Sequence, residues 1–194
     1  MKNNLKNINT FHVNQQETYN DLLKWDSFCY FIAGFIEGQG SLWASINYQP
    51  KLKWAIKINI GFSITQHSNG KPLLESMQKY FNAGRIYQKY GSSNVWVYEI
   101  NDIKNLQEKI IPFFENYIMD FSYKFKDGTY ENMKLILQAL LDKKHQSLDG
   151  LIYIVNCIFK MNPAGKGKKR KRGLDEIISL IKTCRGALSI KKKK

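Results

Sequence analysis

The sequence predicts an α+β fold in the order αββαββα. A helix-plus-hairpin unit is used twice, giving a four-stranded antiparallel sheet with helices packed on one face and further helices after it. Three observations carry this. Residues 54–64 alternate, with Trp54, Ile56, Ile58, Ile60, Phe62 and Ile64 on one face and Lys57, Asn59, Gly61 and Ser63 on the other, which is a strand with one buried and one polar side. Residues 85–90 and 94–100 flank Gly91-Ser92-Ser93, a hairpin signature. Helical spacing in the motif region near residue 30, at 71–81 and after Asp102 brackets the two strand pairs.

The first helix centres on Phe31-Ile32-Ala33-Gly34-Phe35-Ile36-Glu37-Gly38-Gln39-Gly40-Ser41. Asp26 or Ser27 is placed to cap its start, and Gly38 and Gly40 permit a tight exit. It is apolar nearly all round from Phe28 to Ile36, so it needs cover on every side, from a deep core or from a partner. Ala33, Gly34 and Gly38 leave one face almost bare, and two such faces can approach backbone to backbone. Residues 41–47 alternate as a strand, and Tyr48 to Lys51 mark a loop.

Pro72 sits in the first turn of the second helix, where its missing N–H costs nothing, and Asn82 to Gly84 stop it. Asp102 caps a helix that reaches Phe113 and Phe114 and is interrupted near Pro112. Another helix opens within 124–133 and runs to about Leu141. The next starts near 145–151 with Ser147 as its cap and ends at Met161-Asn162-Pro163. Leu174 to Ile181 has helical spacing and is expected to pack back on the domain. The expected organisation is an N-terminal extension (1–25), a core domain (26–162) and a basic C-terminal segment with a short helix (163–194).

The 194 residues suit one domain with a real core. Hydrophobic residues at 43% and aromatics at 13% fit a globular chain, and no apolar run is long enough to span a bilayer. The net charge of +14 and pI near 9.6 predict attraction to a polyanion, most simply nucleic acid. A basic protein with a solvated face fits the charge alone. Cys29, Cys157 and Cys184 are odd in number and share no metal-ligand spacing, which argues against disulfides and zinc and for a reducing compartment. The first two dozen residues resemble neither a secretory signal nor a transit peptide.

Residues 32–40 resemble the LAGLIDADG signature of the homing endonucleases, with Ile32 for the first Leu, Phe35 for the second, Glu37 for the first acid and Gly38 for the following Ala. The resemblance extends over roughly residues 27–171. It implies the family's saddle-shaped sheet lying along the major groove of double-stranded DNA. On the polar strand faces the reading side chains would be Trp43, Ser45 and Asn47; Lys57, Asn59 and Ser63; Arg85, Tyr87 and Lys89; and Asn94, Trp96 and Tyr98. Arg and Lys address guanine and Asn pairs with adenine. Lys168 and Arg170, in the basic run 166–172, would grip phosphates without reading sequence.

One motif copy leaves the bare helix without a mate. The natural repair is an isologous homodimer through Phe31, Ala33, Gly34, Glu37 and Gly38 on a long, partly palindromic duplex. The resemblance also implies hydrolysis of one phosphodiester per strand with magnesium, or calcium as a non-catalytic substitute, held at position 39 and the Gly38 carbonyl. This chain departs from the pattern at the second, metal-binding acid, which is Gln39. An amide keeps the shape without the charge, so impaired cleavage is expected. Gln66 matches the family's water-holding polar residue, and Lys126, with Lys124 second, matches its basic active-site residue. A surface lysine gripping the backbone fits the same spacing. His67 fits a general base or an ordinary strand-end histidine. A splicing cofactor that binds intron RNA is the competing class, and the resemblance points to an intron-encoded protein of an organelle, mitochondrion before chloroplast.

Overall fold

The computed structural model describes residues 15–161 and 172–191, with side chains for 24–161 and 172–184. The sheet holds β1 (Gly40–Tyr48), β2 (Ile56–His67), β3 (Arg85–Gln88) and β4 (Val95–Ile100) in the order β1-β2-β4-β3, all antiparallel. Helices α1 (Gln15–Gln39) and α2 (Lys71–Phe81) precede the two hairpins. After them come the short α3 (Ile103–Asn105), a π turn (Leu106–Ile110), α4 (Ile111–Tyr117), α5 (Thr129–Leu141), α6 (Leu148–Met161) and α7 (Leu174–Lys191). The αββαββα order and the antiparallel sheet are as the sequence predicts.

The core forms between the helices and the even-numbered face of β1 and β2. Leu42, Ile60, Phe62 and Ile64 meet Ile32, Ile36, Leu74, Met77, Phe114 and Ile154 there. Phe62 is its centre, with edge-on contacts to Phe81, Tyr98 and Phe114 at 6.5, 6.4 and 6.1 Å. A second cluster, Trp54, Ile56, Leu151, Val155, Ile177 and Ile181, fastens α6 and α7 to the start of β2. Residues 174–181 therefore pack back as expected. Asp102 Oδ1 accepts from the Asn105 backbone N–H at 2.9 Å, and Ser147 Oγ from that of Gly150 at 3.1 Å, so both expected caps are made. Pro112 cannot donate to the carbonyl one turn back, and the π turn lies just ahead of it.

Three expectations change. Helix α1 starts at Gln15, because no Gly or Pro interrupts residues 15–33, and Asp26 and Ser27 lie inside it rather than at its cap. Trp54 belongs to the loop before β2, where Ala55 adopts a positive φ of 56°. Third, β4 is turned over. Tyr98 is fully buried and its hydroxyl donates to the Ala83 carbonyl at 3.0 Å, while Trp96 packs on the helix side with Lys71 over its ring. In Val-Trp-Val-Tyr-Glu-Ile both faces are largely apolar, with Glu99 the one charged residue, so alternation alone sets its phase weakly. Pairing fixes it, placing Ile100 beside Phe62 and Tyr98 beside Ile64.

Candidate nucleic-acid interface and cleavage site

Among the described residues no helix covers the odd-numbered sheet face, and pairing arranges its side chains in rows. Ser41, Ser63, Glu99 and Arg85 form one row, and Thr65, Val97 and Tyr87 the next. Trp43 lies opposite Gly61, Ser45 opposite Asn59 and Asn47 opposite Lys57. A Cβ on Gly61 would sit 2.4 Å from Trp43 Cζ2, so the indole occupies the space that glycine leaves. Lys89 continues the β3 phase, its N–H donating to the Val95 carbonyl at 2.8 Å. The predicted reading residues of β1 and β2, together with Arg85, Tyr87 and Lys89, thus share one open face. Trp96 and Tyr98 do not, and Asn94 stands at the hairpin end outside β4. Lys168 and Arg170 lie outside the described residues.

At one end of this face, α1 passes directly into β1. The turn needs glycine, since a Cβ on Gly40 would lie 2.7 Å from the Ile36 carbonyl oxygen. Glu37 faces inward and accepts from Ser122 Oγ at 2.8 Å and from the backbone N–H groups of Tyr123 and Lys124 at 2.9 and 2.8 Å. Burial pushes its carboxyl up. The hydrogen bonds from Lys124, Ser122 and Tyr123, with the Lys124 charge, outweigh that and hold it below the ordinary range. Glu37 therefore ties the loop after α4 to the end of α1 while staying half-buried.

Gln39 is exposed and its side chain makes no hydrogen bond with the described residues. Lys124, drawn in by its backbone bond to Glu37, donates through Nζ to the Gly40 carbonyl at 2.5 Å and toward that of Gly38 at 3.4 Å. Lys126 instead donates to the Asp120 carbonyl at 2.9 Å, beyond the buried Phe125. Gln66 reaches this end of the sheet, two residues past Ile64, the partner of Gly40. Its side chain shares the helix-side phase and lies against Gly70, where a Cβ would be 2.9 Å from Gln66 Oε1. His67 is exposed, with Nδ1 3.5 Å from Ser68 Oγ.

A magnesium or calcium ion needs anionic oxygens. The donors on the turn are the neutral Gln39 amide and the Gly38 and Gly40 carbonyls, with the Lys124 ammonium already against those carbonyls. Among the described residues no cluster of three or more His, Cys, Asp or Glu side chains could hold a metal. With glutamine at position 39, this set does not fit a divalent cation.

Along α1, Cys29, Ile32, Ala33 and Ile36 are buried in the subunit, so Ala33 faces the core rather than a partner. It follows Cys29 by four residues and so shares its side of the helix. Phe31, Gly34 and Gly38 form the open stripe, and a Cβ on either glycine would meet nothing within 4 Å. Among the described residues nothing calls for glycine there.

The family model described as LAGLIDADG endonuclease matches residues 32–137. The chain belongs to the LAGLIDADG endonuclease family. It is 36% identical over 122 residues to DNA endonuclease I-CeuI of Chlamydomonas moewusii, a match covering 63% of this chain and 56% of that relative, so it spans little more than half of that protein's length. It is 28% identical over 153 residues to homing endonuclease I-ApeII of Aeropyrum pernix, covering 78% of this chain and 88% of the relative. Its fold is similar to the archaeal intron-encoded homing endonuclease I-Vdi141I complexed with DNA, with TM-score 0.75 and 28% identity over 82% of this chain and 98% of that one. The DNA complex of I-CeuI gives TM-score 0.75 and 30% identity, over 80% and 76% of the two chains.

Lys124, the second choice for the basic residue of this LAGLIDADG chain, is held at the turn by contacts 86 to 87 positions away in sequence, so no local signal ranks it above Lys126. Glu99 is not singled out by the sequence pattern, though it is legible in principle. A hairpin centred on Ser92 pairs residues equally distant from it, and seven steps either way are Arg85 and Glu99. Among the described residues no helix is long and apolar enough to cross a membrane.

Proposed function

We propose that this chain is a site-specific homing endonuclease by descent that binds a long, pseudo-palindromic DNA duplex as a two-fold dimer and, with Gln39, cuts it poorly. The observation that carries this is the open sheet face. Its polar and basic side chains, from Asn47 and Lys57 to Arg85 and Lys89, end on the turn that holds Gln39 and Lys124. A strand pair of this kind fits the major groove, and the net charge of +14 supplies sequence-independent attraction. The dimer is supported by Gly34 and Gly38, which are open on the outer side of α1. Two copies crossing there bring two motif turns side by side.

In the cleavage reaction the residues have unequal roles. The Lys124 ammonium is positioned to offset charge developing on a phosphate beside the turn, and we assign it the role expected of Lys126. Gln66 is at the right end of the sheet to orient water. A divalent cation held by an acid at position 39 and the Gly38 carbonyl would supply an activated water and a counter-charge for the leaving oxygen. Gln39→Glu restores the anionic oxygen that such an ion needs. The chain is read as intron-encoded, as the names of several relatives say of those proteins, and, on the family resemblance alone, as organellar with the mitochondrion favoured.

The test is to select duplexes from a randomised library, then compare binding and magnesium-dependent cutting of the selected duplex by this chain and by Gln39→Glu. Similar binding with cutting only by Gln39→Glu is expected. Equal cutting would overturn the role given to position 39. Tighter binding of structured intron RNA than of any duplex would overturn the DNA reading in favour of a splicing cofactor.

A further inference from the structure

Glu99 is a carboxylate only 9% exposed, in the middle of a face that otherwise attracts a polyanion. Its Oε2 accepts from Arg85 Nε at 3.2 Å and Nη2 at 2.8 Å. The guanidinium carbon also lies 5.2 Å from the centre of the Tyr87 ring, one strand position pair along. Arg85 nevertheless remains 66% exposed. Its inner edge is held by an acid and its plane is steadied by a ring, while Nη1 makes no hydrogen bond with the described residues. The free outer edge is a two-donor fork of fixed direction. Ser63, across the pair from Glu99, is too short to cover it.

An arginine gripping phosphate gains nothing from a carboxylate alongside, since the acid cancels its charge and repels the anion. A base edge is different, because it rewards direction more than charge. Guanine presents O6 and N7 side by side in the major groove and matches the end of a guanidinium. Resting on the duplex reading above, we propose that Arg85 reads a guanine and that Glu99 is its positioning residue.

Duplexes selected from a randomised library by wild type, Arg85→Lys and Glu99→Gln test this, with thermal melting as the folding control. Arg85→Lys, a point charge without the fork, should lose about tenfold or more of the preference for guanine at one base pair and its two-fold mate. Other positions and the salt dependence should not move. Glu99→Gln should weaken the same preference several-fold while guanine stays the favoured base. A uniform loss for Arg85→Lys with a salt slope lower by about one would show a phosphate contact and overturn the proposal. A changed favoured base in Glu99→Gln would show that Glu99 reads DNA itself and would overturn its positioning role. Wild type that selects no sequence at all would sink the duplex reading, a result distinct from unchanged profiles in the two variants, which would sink only this one.

Discussion

Glu37 and Gln39 close the same helix two residues apart, yet the side chain of one accepts three hydrogen bonds from the fold and that of the other makes none with the described residues. The same division runs the length of α1. Cys29, Ile32, Ala33 and Ile36 build the subunit core, whereas Phe31, Gly34 and Gly38 stay open. A motif that reads as one functional unit is therefore two interleaved sets at helical spacing. The inward set could be exchanged only for residues of like shape and hydrogen bonding, while the outward set answers to whatever meets it from outside.

The largest test of that division is Gly34→Leu. Within one subunit the new side chain enters open space and replaces glycine in a helix, so the isolated fold should be unharmed or steadied by up to about 1 kcal/mol. If α1 is the dimer axis, self-association should fail. Binding to the full duplex should then weaken by about a hundredfold or more, because the second half-site is no longer held at high effective concentration. Sedimentation and titration of a selected duplex measure both. A dimer that survives Gly34→Leu would move the interface elsewhere.

A smaller effect sharpens the contrast between the two acid positions. Glu37→Ala leaves the buried Ser122 hydroxyl and two backbone N–H groups without their acceptor and should cost about 2 kcal/mol in urea unfolding at fixed protein concentration. Gln39→Ala should stay within about 0.5 kcal/mol of the parent. Equal losses would mean that Gln39 also supports the fold.

The two hairpins show why some of this was readable in the sequence and some was not. In β2 one side is Ile and Phe and the other is Lys, Asn, Gly and Ser, so burial can be satisfied in one phase only. In β4 both sides are largely apolar, Glu99 being the one charged residue, and the phase is decided by Phe62 and Ile64 of β2, the partners of Ile100 and Tyr98. The motif helix was legible from its composition, but its length was not, because a polar residue such as Asp26 caps a helix only where the preceding chain leaves it. Contacts between distant segments, such as Glu37 with the loop at 122–124, carry no local mark at all.

Paired tyrosines on opposite sheet faces test the reversed phase of β4. Tyr98→Phe removes the donor to the Ala83 carbonyl and should cost about 1 kcal/mol with no change in DNA affinity. Tyr87→Phe, on the open face, should be nearly neutral for stability, and any change should appear in binding. The reverse outcome would restore Tyr98 to the reading face.

The smallest effect is the pH dependence that separates Glu37 from an amide. Its folded carboxyl lies below the ordinary value of 4.5, because the hydrogen bonds from Lys124, Ser122 and Tyr123 exceed the opposing effect of burial. A depressed acid binds fewer protons folded than unfolded, so its contribution is fully present above 4.5 and is lost as pH falls through the lowered value. Glu37→Gln has no proton to exchange at that position. The stability difference between parent and Glu37→Gln should therefore be constant through neutral pH and shrink only in acid, below 4.5. Glu115, whose carboxyl is lowered by its bond to Lys134, is common to both proteins and cancels in the comparison. A difference that is already shrinking near neutral pH would mean that Glu37 titrates high, as a carboxyl dominated by burial would, and that its bonds to the 122–124 loop are weaker than the geometry indicates.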